Sequence, residues 1–152
     1  MNKDEKLAKR NYKTISSDYS MQIGLKKFPK SFFNDYMEIP AMLEAMPNVN
    51  KKKILDWGCG LGKHIKFLRK KGAIVKGFDI SPQMVNIARE INPNIDIRVG
   101  SGNNIPFKEK FDVVMASLSL HYLNNWERVF TEIERVLKPH GLLVAQNLLL
   151  KG

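Results

Sequence analysis

The run Ile54-Leu55-Asp56-Trp57-Gly58-Cys59-Gly60-Leu61-Gly62-Lys63-His64 carries the clearest chemistry in the chain. A short apolar strand ends in a carboxylate, passes three glycines at alternate positions, and opens a helix with Leu61, Ile65 and Leu68 on one face. Glycines without side chains let a ligand lie directly against the backbone. The acid selects that ligand: Asp56 repels an anionic pyrophosphate brought to the turn and attracts an ammonium or sulfonium group. A strand-to-helix turn that binds nothing is the competing reading of the glycines alone.

A second acid follows at a matching place. After Ala73-Ile74-Val75-Lys76-Gly77-Phe78 comes Asp79, and Ser81-Pro82 then opens a helix with Met84, Ile87, Ala88 and Ile91 at helical spacing. Ser81 suits the N-cap and Pro82 the first turn. A carboxylate at this strand end can accept hydrogen bonds from both hydroxyls of a ribose.

Asp56, Gly58, Gly60 and Gly62 match an Asp/Glu-x-Gly-x-Gly-x-Gly pattern, and the run resembles motif I of the class I S-adenosylmethionine-dependent methyltransferases. The resemblance implies that the turn, Cys59 included, binds S-adenosylmethionine, that Asp79 holds the ribose and that Ile80 packs on the adenine. The segment Val99-Gly100-Ser101-Gly102-Asn103-Asn104-Ile105-Pro106-Phe107 is similar to the family's Gly-Asp-Ala-x-x-Leu-Pro-Phe loop. Ser101 stands where the family usually has an aspartate that accepts from the adenine amino group. As a neutral acceptor it should contribute roughly half the strength of a charged one. The backbone amide of Gly102 is expected to donate to the adenine ring.

The stretch Phe111 to Leu123 resembles the fourth strand and following loop of the small-molecule methyltransferases. Ser117, at the carboxyl end of that strand, is then expected to offer its backbone carbonyl to the ammonium of the methionine moiety. His121, just beyond, is the candidate general base for an acidic hydroxyl or carbon acid, with a helix cap or packing role as the alternative. Asp112 lies at the wrong end of the strand for chemistry and reads as structural. The loop lacks the Asn/Asp-Pro-Pro-Tyr/Phe signature of enzymes acting on exocyclic base amines, which argues against base methylation. The product would be S-adenosylhomocysteine and the acceptor a small molecule. No metal site is expected, since His64, His121 and His140 have no partners at ligand spacing.

These residues need a frame. Strands are predicted at about 53 to 57, 73 to 78, 95 to 99, 111 to 116 and 141 to 147, with helices at about 62 to 71, 82 to 91 and 126 to 138. Alternation with short links implies an α/β fold with parallel strands joined by right-handed crossovers, and ligands then sit at the carboxyl ends of the strands. The resemblance implies a three-layer Rossmann-like, doubly wound sheet, mostly parallel, in the order 3-2-1-4-5. The chain is expected to lack the family's usual C-terminal strands 6 and 7, as a fragment or a short form. Leu142, Val144, Leu148 and Leu149 would then lie near an open edge that favours a homodimer.

Residues 1 to 48 are expected to form an N-terminal arm and helix that act as a lid, and residues 49 to 152 the cofactor-binding core. In the lid, Phe32, Phe33, Tyr36, Met37, Met42, Leu43 and Met46 form a helical apolar stripe interrupted at Pro40 and stopped by Pro47. In the last predicted helix Trp126, Val129, Phe130, Ile133, Val136 and Leu137 form the buried stripe.

Size and charge set the remaining bounds. At 152 residues the chain suits one domain, and its formal charge of +10 comes from short basic clusters at predicted element ends. That scatter reads as a solvated surface more than a nucleic-acid face. The single cysteine, Cys59, suits a reducing cytoplasm and reads as a small filler of the turn. Neither an N-terminal apolar signal nor a membrane-spanning run is present in the sequence. Two rivals stay open. A nicotinamide-dependent dehydrogenase would use similar acids, but its Gly-x-Gly-x-x-Gly spacing needs glycine at 63, where Lys63 stands. A binding module without catalysis is the other.

Overall fold

The computed structural model describes residues 34–120, 123 and 125–146, together with Lys6 and Arg10. A π-helical turn over Asn34–Glu38 leads into helix α1, Ile39–Ala45. Strands and helices then alternate: β1 Lys53–Trp57, α2 Lys63–Lys70, β2 Ile74–Asp79, α3 Pro82–Ile91, β3 Ile97–Val99, β4 Phe111–Ser117, α4 Trp126–Val136 and β5 Leu137–Gln146. The sheet order is β3-β2-β1-β4-β5, and each neighbouring pair is parallel. This is the expected Rossmann-like order. It places the ends of β1 and β2, with Asp56 and Asp79, beside the end of β4.

Side chains alternate across β1, so its two faces feed two cores. Leu55 and Trp57 join Phe78, Phe107, Phe111 and the inner face of α4. Ile54 joins Met42, Ile65, Leu68, Val85 and Ala88, from α1, α2 and α3. Asp56 is in phase with Ile54 and therefore projects toward the α1 and α2 layer. Ser81 caps α3 as expected, accepting from Met84 N at 3.4 Å.

Three apolar readings of the sequence need correction. In the N-terminal stripe Met42 is buried, yet Tyr36 and Met37 are exposed, and the buried neighbours are Glu38 and Ile39. The π-helical turn changes the angular step, so a 3.6-residue stripe does not continue through it. Phe32 and Phe33 lie outside the described residues, as do Leu148 and Leu149. In α4 Val129, Ile133 and Val136 are buried, whereas Trp126 and Phe130 face outward with ring centroids 5.9 Å apart. The third difference is at the α4–β5 junction, where the helix stops at Val136 and the strand begins at once. Phe111 pairs with Leu137 and Val113 with Leu142, so Lys138 to Gly141 bulge out of the ladder. A bulge accommodates Pro139, which has no N–H to give.

Asp112 is structural, as expected. Its carboxylate accepts from Lys53 N at 2.8 Å and from Lys138 Nζ at 2.9 Å, at the end of the sheet away from the glycine turn.

Candidate cofactor site

The glycine turn is held from below and left open above. Cys59 N donates to Phe78 O at 3.0 Å, Gly60 N to Asp79 Oδ2 at 2.9 Å, and Gly62 N to Cys59 O at 2.8 Å. Asn92, which caps the C-terminal end of α3, donates through Nδ2 to Gly62 O at 3.2 Å. Gly60 has φ +51°, where an L side chain is strained, and a Cβ there would meet nothing within 4 Å. The floor of the turn thus faces space that a ligand can fill. Gly102 is the opposite case, since a Cβ there would lie 2.2 Å from the Trp57 ring. Its loop is pressed onto β1.

Asp79 has two roles. It accepts from Gly60 N through Oδ2 and from Ser81 N through Oδ1, both at 2.9 Å. The Ile80 amide also acts on this carboxylate, and of its roughly four lone-pair sites one is left for the expected ribose contact. Burial raises the Asp79 carboxyl above its ordinary range, against the lowering effect of the backbone amides. The side chain that the sequence marked as a ligand is also the brace of the turn.

Asp56 is 1% exposed and its Oδ2 has no hydrogen-bond partner. Burial pushes its carboxyl up to about 7, with His64 opposing and Glu38 and Asp79 reinforcing the rise. His64 is in the first turn of α2, and its Nε2 lies 2.9 Å from Glu38 Oε1, within ion-pair distance. Burial lowers the imidazole, but Glu38 and Asp56 outweigh it and leave His64 raised. Glu38 also accepts a hydrogen bond from Ser117 Oγ at the end of β4. Carboxylates from separate elements therefore converge around one imidazole.

The remaining predicted residues lie around this centre. Ser101 Oγ accepts from Asn103 N at 3.2 Å, shaping the loop after β3. Ile80 is half-buried beyond Asp79. Cys59 is buried, and burial first, then the Asp56 and Asp79 charges, raise its thiol well above the ordinary range. That keeps it protonated and suits a filler, not a nucleophile. After Ser117 the chain turns sharply at Leu118, with φ +51° and Leu118 N donating to Gln146 O at 2.7 Å. A bulky residue in this region is uncommon and strained, and it sits where strain clusters, at the rim of a site. His121 lies outside the described residues. Among the described residues no group of His, Cys, Asp and Glu could hold a metal ion, and no helix is long and apolar enough to cross a membrane.

Sequence reasoning missed the supports. Glu38 sits in an apolar stripe and carries no motif. Ser119 closes the turn through Oγ to Trp57 O at 3.0 Å. Glu132, buried on α4, accepts from Ile105 N at 2.8 Å and pairs with Arg135, whose guanidinium donates to Ile105 O and Phe107 O at 3.0 and 2.8 Å. Arg128 Nε adds a bond to Asn103 O at 2.9 Å. Helix α4 thereby fixes the loop that carries Ser101 and Gly102.

A parallel 3-2-1-4-5 sheet with an acid and glycine turn after β1 and a second acid after β2 defines a class I S-adenosylmethionine-dependent methyltransferase domain. The chain belongs to that family: the family profile described as a methyltransferase domain matches residues 55–145. It is 34% identical over 113 residues to a demethylmenaquinone methyltransferase of Chlorobaculum parvum, covering 71% of this chain and 47% of that protein. A demethylmenaquinone methyltransferase of Thermotoga maritima is 29% identical over 150 residues, covering 97% of this chain and 64% of that protein. Among solved structures, an S-adenosylmethionine-dependent methyltransferase from Mesorhizobium loti superposes with a TM-score of 0.65 at 30% identity, over 72% of this chain and 52% of that one. The chain spans about half the length of the curated relatives it matches.

Proposed function

We propose that this chain transfers a methyl group from S-adenosylmethionine to a small organic acceptor, with residues 1 to 48 as a lid on the core. The observation that carries the reading is the buried, unpartnered Asp56 Oδ2 beside the open floor at Gly60. An orphaned buried carboxylate oxygen is costly unless a donor or cation reaches it. An ammonium group satisfies it.

When bound, S-adenosylmethionine supplies a sulfonium methyl group for in-line attack by the acceptor. The protein's share is mainly positioning. Asp79 and Ile80 are the residues to hold the ribose and adenine, with Ser101 and Gly102 at the adenine edge. Ser117 and Asp56 face the amino-acid end, and His121 is the candidate to take a proton from the acceptor. The activity of the two relatives, methylation of demethylmenaquinone, supports an organic small molecule as acceptor over a nucleic-acid base. The single buried cysteine supports a reducing, cytoplasmic setting.

Calorimetric titration is the direct test. S-adenosylhomocysteine should bind and NAD should not. Asp79→Ala should weaken S-adenosylhomocysteine by about 1.5–3 kcal/mol, the range for hydrogen bonds to a charged group. Unchanged affinity removes Asp79 from the site, and binding of NAD in place of S-adenosylhomocysteine restores the dehydrogenase.

The open sheet edge bears on assembly. Among the described residues β5 pairs only with β4, and Leu142 is 49% exposed on it. A groove of about 720 Å³ runs beside that strand, its apolar wall of Phe130, Ile133 and Leu143 rimmed by Lys110, Glu134 and Lys138. An edge strand with unpaired backbone groups favours pairing with a second copy. Sedimentation of the 152-residue chain should show a dimer or larger species, and a monomer at high concentration counts against it.

A further inference from the structure

Glu38 is buried at the ligand end of the sheet although it lies outside residues 55–145, the stretch that defines the family. It is 3% exposed, accepts from Ser117 Oγ and contacts His64 Nε2 at 2.9 Å. Three elements therefore converge on its carboxylate: the π-helical turn that carries it, the end of β4 and the first turn of α2. Asp56 projects into the same space from β1 with one oxygen unpartnered.

Among the described residues the acids in this space outnumber the bases. Glu38 and Asp56 are both buried, and Asp79 adds a third carboxylate nearby. Facing them are His64 and, at the margin, Lys63. A buried carboxylate without a counter-charge costs several kcal/mol, so such a group is retained where a cation meets it. His64 can match one of the acids. Among the described residues the Asp56 Oδ2 atom has no hydrogen-bond partner, and a cation that arrives from outside can supply one.

We propose that Glu38 and Asp56 together seat the ammonium of the cofactor's amino-acid end, so that Glu38 selects for a ligand that carries it. The inference rests on the cofactor reading above. Ser117 and His64 act as positioning residues that hold the Glu38 carboxylate toward Asp56. Adenine and ribose are recognised elsewhere, by the loop after β3 and by Asp79, so the two halves of the ligand are separable in binding.

That separability gives the test, on the full 152-residue chain. S-adenosylhomocysteine and 5′-methylthioadenosine share the adenine, the ribose and an uncharged sulfur, and only the first carries the amino-acid end. Glu38→Gln should weaken S-adenosylhomocysteine by roughly tenfold or more and leave 5′-methylthioadenosine within about twofold, as loss of a charge-assisted hydrogen bond requires. Ser117→Ala, which removes the hydroxyl that holds Glu38, should give a smaller loss of the same selective kind. Retained binding of 5′-methylthioadenosine shows that the variant site is folded. Should Glu38→Gln not fold, the selectivity of Ser117→Ala decides. Equal losses for both ligands, or no loss for either, overturn the proposal. If the unaltered protein binds neither ligand, the cofactor reading itself fails, an outcome distinct from loss of selectivity.

Discussion

Replacing Glu132 by alanine is expected to cost about 2–4 kcal/mol of folding stability, although this residue touches no proposed ligand. The carboxylate is 4% exposed and joins three partners: the Ile105 amide and two donors of Arg135. Removing it orphans a buried N–H and leaves the Arg135 guanidinium without its counter-charge. The Arg135 side chain is 38% exposed, so water recovers part of that loss, and the expected cost lies below that of breaking a fully buried pair. Arg135 also holds the carbonyls of Ile105 and Phe107, so the loop after β3 should loosen with it. Urea unfolding of the variant measures the first effect, and S-adenosylhomocysteine titration of the folded fraction measures the second. A stability loss below about 1 kcal/mol, the level of an ordinary surface pair, would show that the clamp contributes little.

Asp56→Asn should have the opposite effect on stability. Burial moves the Asp56 carboxyl from 3.8 to about 7, so between those values the folded protein binds a proton that the unfolded chain has released. This group's contribution is therefore fully favourable below about pH 4 and is lost as pH rises through about 7. His64, which is raised, and Asp79, raised by burial, act with the same sign. The lowered carboxyls Asp96, Asp112 and Glu132 act with the opposite sign, losing stability as pH falls through their folded-state range. Comparison of the variant with the unaltered protein isolates Asp56. A displacement of that size corresponds to about 4 kcal/mol as an upper figure. Unfolding at about pH 5 and about pH 8, on either side of the folded-state value, should show a flatter pH dependence for Asp56→Asn. The variant should also be the more stable of the two at the higher pH and bind cofactor more weakly. Parallel pH profiles would sink the account. A residue that destabilises the empty protein and holds its ligand is common in binding sites.

The alternating frame of this protein and the backbone of its glycine turn are legible in its residues alone, while the strand order rests on the family resemblance and the structure. Short continuous apolar runs at 54–57, 74–78 and 111–116, alternating with helical stripes, are enough to indicate a parallel sheet buried on both faces. The glycines at 58, 60 and 62 and the acids at 56 and 79 are local signals, because each answers to conformation or charge within its own turn. Tertiary structure decided what those residues touch. That Asp79 braces Gly60, or that Glu132 reaches Ile105 across 27 positions, depends on packing between elements and leaves no period in the sequence. Local rules failed in the same way for Tyr36, Met37, Trp126 and Phe130, which carry an apolar stripe but face away from the core. Glu38 is the sharpest case. Nothing in its neighbours marks it, and only the π-helical turn, which rotates it inward against Ser117 and His64, makes a charged residue part of the site.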